Sequence, residues 1–306
     1  MKPIWITPTD RAHWLELRMD DLTSTDIAAL FGCSPYTTYY EVWHRKRHRL
    51  HSEFDNDNER MKWGTRLESV IANGIAEDNG WHALPLKDYA RLEGKRIGSS
   101  FDFKVAVGDR SGVFEIKNVD GMQFSRGWEG KEGADLEAPP HIEIQAQHQL
   151  AVSGLEFAKI AALVGGNRPV VIHRERDEDV IAAIFQKAAE FWKSIDEDRA
   201  PEPDLLKDAN FIAQLYKTAE PGKIADLSMS KQALAYARAY KAHAEDEKAA
   251  KANKDACKAQ LLMLIQDAEK AYGAGFTISA GTVGPAPISY MREPYRMFKV
   301  TFKKEK

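Results

Sequence analysis

Along this chain, apolar positions recur with a period of two in some stretches and with helical spacing in others, and the change-overs mark its elements. Phe101, Phe103, Val105 and Val107 alternate with Asp102, Lys104 and Ala106, the pattern of a half-buried strand. Phe114 and Ile116 alternate with Val113, Glu115 and Lys117 in a second strand, and Gly108-Asp109-Arg110-Ser111-Gly112 between them has the residues that turns favour. Matching the apolar faces of the two strands sets odd positions opposite even ones. A turn centred between Asp109 and Arg110 meets that condition and predicts Asp102 opposite Lys117 and Lys104 opposite Glu115. Asp102 and Glu115 are then diagonal neighbours, roughly 7–8 Å apart between backbones. Two carboxylates that close repel each other unless a cation lies between them. A solvated polar face with surface salt bridges accounts for the same pattern equally well.

Helical periodicity dominates elsewhere. Thr23, Ser24 and Thr25 precede the run Ile27, Ala28, Leu30, Phe31, with Gly32 as a stop, and Ser34-Pro35 and Thr37-Thr38 open a second helix through Val42 and Trp43. Hydroxyls at a helix start with Arg18 just upstream suit a phosphate, because backbone N–H groups point outward there; plain N-capping is the simpler alternative. A third helix from residue 59 carries Leu67, Val70, Ile71 and Ile75 on one stripe, with Glu68 beside it and Gly64 one turn earlier. A carboxylate at such a boundary needs a partner. Residues 118–139 lack periodicity and read as a loop. Ile142, Ala146, Leu150 and Ser153 then form one helical face, with Gln145 and Gln149 a turn apart on the next. Two short strands joined by Gly165-Gly166-Asn167 follow, and then an amphipathic helix from Asp179 to about Ile195.

The composition changes after Arg199. The predicted organisation is a first domain over residues 1–199, a Pro-containing linker over 200–226, and a helical, coiled-coil-like extension with a terminal β-hairpin over 227–306. The extension contains Leu227–Tyr272, free of Pro and Gly, which spans about 65 Å if unbroken; a hairpin near Lys251-Ala252-Asn253 is the alternative. Phe298, Val300 and Phe302 alternate with polar residues and predict a small closing sheet.

Composition narrows the classes. The 306 residues, 43% hydrophobic and 29% charged, are those of an ordinary globular protein with a large core. No apolar run is long enough to span a bilayer and no signal segment is recognised at the start, so a cytoplasmic location without membrane contact is expected. Two cysteines, Cys33 and Cys257, are too few for a disulfide framework, a zinc site or an iron–sulfur site. A net charge of −3 argues against a uniformly basic nucleic-acid binder, although His44-Arg45-Lys46-Arg47-His48-Arg49 forms a local basic patch.

A bare Glu-x-Lys carries almost no information. The ordered set WLELR, TSTDIAALFGCSPY, WGTRLES, GSSFDFK and FEIKN carries much more. Over about residues 11–195 this set resembles the PD-(D/E)xK nuclease superfamily and, within it, the YqaJ family of phage recombinases related to lambda exonuclease. The resemblance implies an α/β (α+β), restriction-endonuclease-like core: a mixed central sheet flanked by helices, followed here by a C-terminal helical arm with a small β element. Position by position, it implies that Asp102 and Glu115 are metal-binding carboxylates and that the Ile116 carbonyl is a further ligand. Lys117 would act on water and phosphate charge, Glu68 would support metal and water, and Gln145 would position water or phosphate. Arg18, Thr23, Thr25 and Ser100, with Arg126 as a weaker match, would bind a 5'-phosphate and DNA.

The implied activity is a Mg2+-dependent deoxyribonuclease, with Mn2+ able to substitute, that degrades linear double-stranded DNA from 5' to 3'. The 3' overhang it leaves would serve a single-strand annealing protein. A trimeric ring as the homo-oligomer, and a bacterial host cytoplasm with phage or prophage origin, belong to the same implication. A structure- or site-specific endonuclease on the same fold, and a non-catalytic DNA-binding or annealing scaffold, remain alternatives. Phe101 departs from the superfamily pattern, which has proline there, and about the last 100 residues have no counterpart in the minimal lambda-type enzyme.

Overall fold

A computed structural model describes residues 2–50, 59–130, 135–287, 289, 291 and 295–302. The chain forms two compact units, Met1–Phe211 and Ile212–Lys306. In the first, five strands make a mixed sheet: β2 (His82–Pro85), β5 (Phe103–Val107), β6 (Arg110–Val119), β7 (Phe157–Val164) and β8 (Arg168–Glu175), hydrogen-bonded in that order. All neighbours are antiparallel except β6 and β7, whose parallel pairing needs a crossover. That crossover carries α5 (Gly121–Gly127) and α6 (Pro140–Ser153). A second antiparallel sheet joins β1 (Ile4–Ile6), β3 (Tyr89–Leu92) and β4 (Ile97–Ser99).

Alternation along β5 and β6 divides two apolar layers. Phe103, Val105, Phe114 and Ile116 pack with Ile71, Ala72 and Ile75 of α4 (Glu59–Asn79) on one face. Val113 on the other face shares a core with Ile142, Ala146 and Leu150 of α6 and with Ile27 and Leu30 of α2 (Ser24–Leu30). The layer is closed by α7 (Glu178–Asp196) and α3 (Tyr39–His48), and α1 (Arg11–Asp20) precedes them in the chain. Both sheet faces are therefore covered, and the face that reads as polar is not a solvated one.

The hairpin register differs from expectation by two residues. Phe103 pairs with Phe114, Lys104 with Val113 and Val107 with Arg110, so the loop is only Gly108-Asp109. Gly108 adopts φ 58°, which an L side chain resists, and this closes the turn early. Gly112 belongs to β6, where a Cβ would lie 2.4 Å from the Phe157 ring. Parity survives a two-residue shift, and Asp102, one residue before β5, extends the register to lie opposite Glu115.

Further differences are local. The stretch 118–139 contains helix α5, capped by Asp120, whose carboxylate accepts from the amides of Met122 and Gln123. Val70, expected on the buried stripe, is 68% exposed, and Ala72 takes its place in the core. A helix, α8 (Leu205–Leu215), lies within the expected linker. In the second unit α9 (Lys231–Ile265) is unbroken at Lys251-Ala252-Asn253, and its 35 residues span about 52 Å. The small sheet of that unit is the hairpin of β9 (Lys270–Gly273) and β10 (Phe276–Ser279), whereas residues 295–302 are not in strands. Among the described residues no helix is long and apolar enough to cross a membrane, and both cysteines are free thiols.

His148 of α6 is completely buried beside the Leu22 backbone, and its ring nitrogens meet no hydrogen-bond criterion among the described residues. Burial pushes its pKa down to about 4, against a smaller upward pull from Asp26. The unfolded chain then takes up the proton first as pH falls, so stability is intact above about 6.5 and declines toward 4. The expected loss is about 1.4 kcal/mol per pH unit crossed. Urea midpoints measured across this window should fall in the wild type and change less in His148→Leu; equal slopes in the two proteins would contradict the assignment.

Candidate active site

The hairpin, α4 and α6 bring polar groups to one end of the central sheet. Glu115 is 2% exposed, on the β6 face that meets α6. Its Oε1 accepts from Lys117 Nζ at 2.5 Å and from Gln145 Nε2 at 2.6 Å, and its Oε2 accepts from Gln149 Nε2 at 2.7 Å. Lys117 Nζ also donates to Gln145 Oε1 at 3.2 Å. Asp102 reaches across the hairpin, where its Oδ2 accepts the Ile116 N–H at 2.8 Å. Gln145 and Gln149 project together because they are one helical turn apart on α6.

The charges are strongly interdependent. Burial first, and then repulsion from Glu115, lift the Asp102 carboxyl well above the ordinary range, against the pull of Lys117 and the Ile116 N–H. Glu68 of α4 is also raised, by burial and then by Glu115, so it lies within the field of the same group. Burial is the largest influence on Lys117 and would lower it, but Glu115 and Asp102 together hold its ammonium above the usual lysine value.

Among the described residues no three His, Cys, Asp or Glu side chains gather into a closed metal cage. The donor set is more open: two carboxylates, Asp102 and Glu115, with the Ile116 backbone bonded to Asp102 through its N–H and Glu68 contributing charge. The carboxylates offer hard oxygens. Mg2+ is often held by one or two carboxylates while retaining several waters. A divalent cation there would also relieve the repulsion that lifts Asp102. The residues present fit such an ion.

The expected phosphate-binding residues are only partly brought together. Arg18 stacks on Trp14 with its guanidinium carbon 4.6 Å from the ring centroid, and Trp14 Nε1 donates to Ser100 Oγ at 2.8 Å. Ser100 is two residues from Asp102, so α1 is tied to the carboxylate site. Thr25 is exposed at the start of α2. Thr23, however, is buried in a capping box: its amide and hydroxyl both donate to Asp26 Oδ2, at 2.9 and 2.8 Å. Its hydroxyl is engaged as a helix cap. Arg126 lies exposed in the last turn of α5. Phe101, where a proline was expected, is buried against Trp5, with ring centroids 5.6 Å apart.

The basic run on α3 is not a free patch. Arg45 pairs with Glu41 at 2.6 Å, Lys46 with Asp26 at 2.9 Å, Arg47 with Asp198 at 2.8 Å, and Arg49 with Asp20 at 3.0 Å and with Glu16. Buried His44 packs among Tyr40, Trp43 and His48.

Residues 13–156 match the YqaJ-like viral recombinase domain. A protein named YqaJ from Bacillus subtilis (strain 168), otherwise uncharacterized, is 28% identical over 222 residues, covering 71% of this chain and 67% of that one. Among solved structures, an alkaline exonuclease (LHK-Exo) from Laribacter hongkongensis aligns at 18% identity and a TM-score of 0.47, over 66% of this chain and 100% of that one. A phage related exonuclease from Haemophilus somnus 129PT aligns at 11% identity and a TM-score of 0.44, over 60% and 97%.

Within the matched residues, one site residue escaped assignment from sequence. Gln149 is 1% exposed, and besides Glu115 its amide bonds the Ser100 carbonyl at 3.3 Å. Its spacing from Gln145 was the available signal, but nothing in the sequence says which of two glutamines a turn apart meets a carboxylate. Gln149→Leu removes the donor that fixes Glu115 Oε2. It is expected to weaken divalent-ion affinity by about 10- to 100-fold, as loss of a group supporting a ligand does. Calorimetric titration of Mn2+ checks this, and unchanged affinity would remove Gln149 from the site.

Proposed function

We propose that the chain is a Mg2+-dependent deoxyribonuclease, with Mn2+ able to substitute, that degrades one strand of linear duplex DNA from 5' to 3' and leaves 3' single-stranded overhangs. The observation carrying this reading is the pair of Asp102, just before β5, and buried Glu115 on β6, with Lys117 bonded to Glu115, inside the stretch that matches the YqaJ-like viral recombinase domain. Asp102, Glu115 and the Ile116 carbonyl would hold the ion, with Glu68 in support. Bound there, it would supply an activated water and stabilise charge on the attacking and leaving oxygens.

The chain's own groups do the rest. Lys117, kept protonated by Glu115 and Asp102, presents fixed positive charge where phosphate charge develops. Gln145 ties Lys117 to Glu115 and so orients both. Glu68, whose carboxyl is raised by burial and by Glu115, would support the ion and its water. Arg18, held against Trp14 and thereby to Ser100, supplies a cation for a 5'-phosphate, with Thr25 exposed nearby in sequence. A single-strand annealing protein as partner and a trimeric ring as the assembly follow from the family resemblance; light scattering tests the second.

The reading is tested with linear duplex bearing 5'-phosphate, linear duplex bearing 5'-hydroxyl, and covalently closed circular plasmid, each with Mg2+. The phosphorylated ends should be consumed fastest and the closed circle left intact. Cutting of the closed circle at a comparable rate would make the protein an endonuclease.

A further inference from the structure

Near the carboxylate site, the turn between α2 and α3 presents an aromatic side chain to solvent. Tyr36 is 80% exposed, a high value for a tyrosine in an ordered turn. The turn is well defined: Pro35 precedes it, and Ser34 Oγ accepts from the amides of Tyr36 and Thr37 at 3.2 and 3.3 Å. The ring meets His141 edge-on, with centroids 5.7 Å apart and planes at 86°. His141 lies in the first turn of α6, four residues before Gln145, so the two share a helical face. Gln145 bonds Lys117 and Glu115. Tyr36 is thus joined to the site through His141 and the face of α6 that carries Gln145.

A tyrosine serving only to pack on His141 would be covered by it, yet most of this ring is open. A nucleotide whose phosphate approaches Lys117 must also accommodate its base. Every base has a flat π face, and an aromatic ring can hold it without reading sequence. We propose that Tyr36, braced by His141, stacks on the nucleobase of the 5'-terminal nucleotide, the one released when the phosphodiester on its 3' side is cleaved at the Asp102–Lys117 site. This rests on the nuclease reading and adds to it a positioning contact made through the base rather than the phosphate.

The test uses the full-length protein in EDTA, so that binding is read without hydrolysis. A linear duplex carries 2-aminopurine at its 5'-terminal nucleotide, and a matched duplex carries an abasic site there. Wild type should quench 2-aminopurine fluorescence on binding and bind the abasic end roughly 10- to 100-fold more weakly. Tyr36→Ala should lose the quench, bind the normal end about as weakly as wild type binds the abasic end, and no longer distinguish the two. Tyr36→Phe and Tyr36→Trp should restore binding and quenching.

If Tyr36→Phe behaves like Tyr36→Ala, the contact is made by the phenol oxygen and stacking is refuted. If Tyr36→Ala still discriminates against the abasic end as wild type does, the base lies elsewhere. A wild-type protein that hydrolyses duplex ends with Mg2+ while Tyr36→Ala matches it in every arm overturns the stacking contact alone. One that neither binds nor hydrolyses DNA overturns the nuclease reading and this inference together.

Discussion

Asp102→Asn is expected to reduce Mg2+-dependent DNA digestion by about 10³-fold or more while raising the melting temperature of the metal-free protein. The opposite signs have one cause. Asp102 has its carboxyl lifted by burial and by Glu115, so its folded pKa lies above its unfolded one. Such a group stabilises the fold below its unfolded pKa, and that contribution is lost as pH rises through the folded pKa. At neutral pH, above the unfolded pKa, Asp102 is therefore a cost to the metal-free native protein, whether as a charge beside Glu115 or as a carboxyl that must hold its proton. Asparagine removes the charge and can still accept the Ile116 N–H. Each kcal/mol relieved should raise Tm by about 2–4 °C for a unit of this size. Mg2+ should raise the wild-type Tm and leave Asp102→Asn unmoved; a variant that melts lower without metal would contradict the electrostatic account.

Lys46→Ala should be the most destabilising single change in this account, costing about 3–5 kcal/mol, because it strips the partner from a charge inside the protein. The Lys46 side chain is 7% exposed, and its ammonium bonds Asp26 at 2.9 Å and the carbonyls of Arg18 and Asp21, each at 2.6 Å. Burial pulls the lysine pKa down, with Asp26 opposing, while Asp26 itself is held below its ordinary value because Lys46 and its other partners outweigh burial. The same ammonium ties the end of α1 to the start of α2 and so holds the backbone that carries Arg18. Urea unfolding should give the stated loss, and Asp26→Ala combined with Lys46→Ala should lose less than the sum of the two singles. A loss below about 1 kcal/mol would mean that the pair behaves as a surface ion pair.

Much of the first unit was legible because its elements bury one face each. Thr38 caps α3, and the runs of β7 and β8 flank a Gly-containing turn, both as expected. The strands that hold the carboxylates were legible too, but their register was not. Gly112 resembles a turn residue in sequence, and only the Phe157 ring beside it explains a glycine inside β6. β2, β3 and β4 are three or four residues each, too short for period-two alternation to stand out. The burial of Glu115 could not be read from β6, since the covering helix reaches it with Gln145 and Gln149, polar residues that a hydrophobic pattern does not assign to a protein interior.

The candidate phosphate residues divide for similar reasons. Hydroxyls at a helix start serve as caps or as anion ligands with the same sequence signature, and Thr23 is used as the cap. The basic run of α3 looks like a nucleic-acid patch until Glu41, Asp26, Asp198, Glu16 and Asp20 are found against it. Of these, only Glu41 is close enough in sequence for helical spacing to foretell the pairing.

The central claim is that Asp102, Glu115 and Lys117 form the nuclease centre. Its most direct test is digestion of 5'-phosphorylated linear duplex by equal amounts of folded wild type and Asp102→Asn, each with Mg2+ and with EDTA. Wild type with Mg2+ should shorten the 5'-ended strands and leave single-stranded 3' tails, while the other three reactions leave the duplex whole. Equal digestion by wild type and Asp102→Asn, or digestion that persists in EDTA, would contradict it.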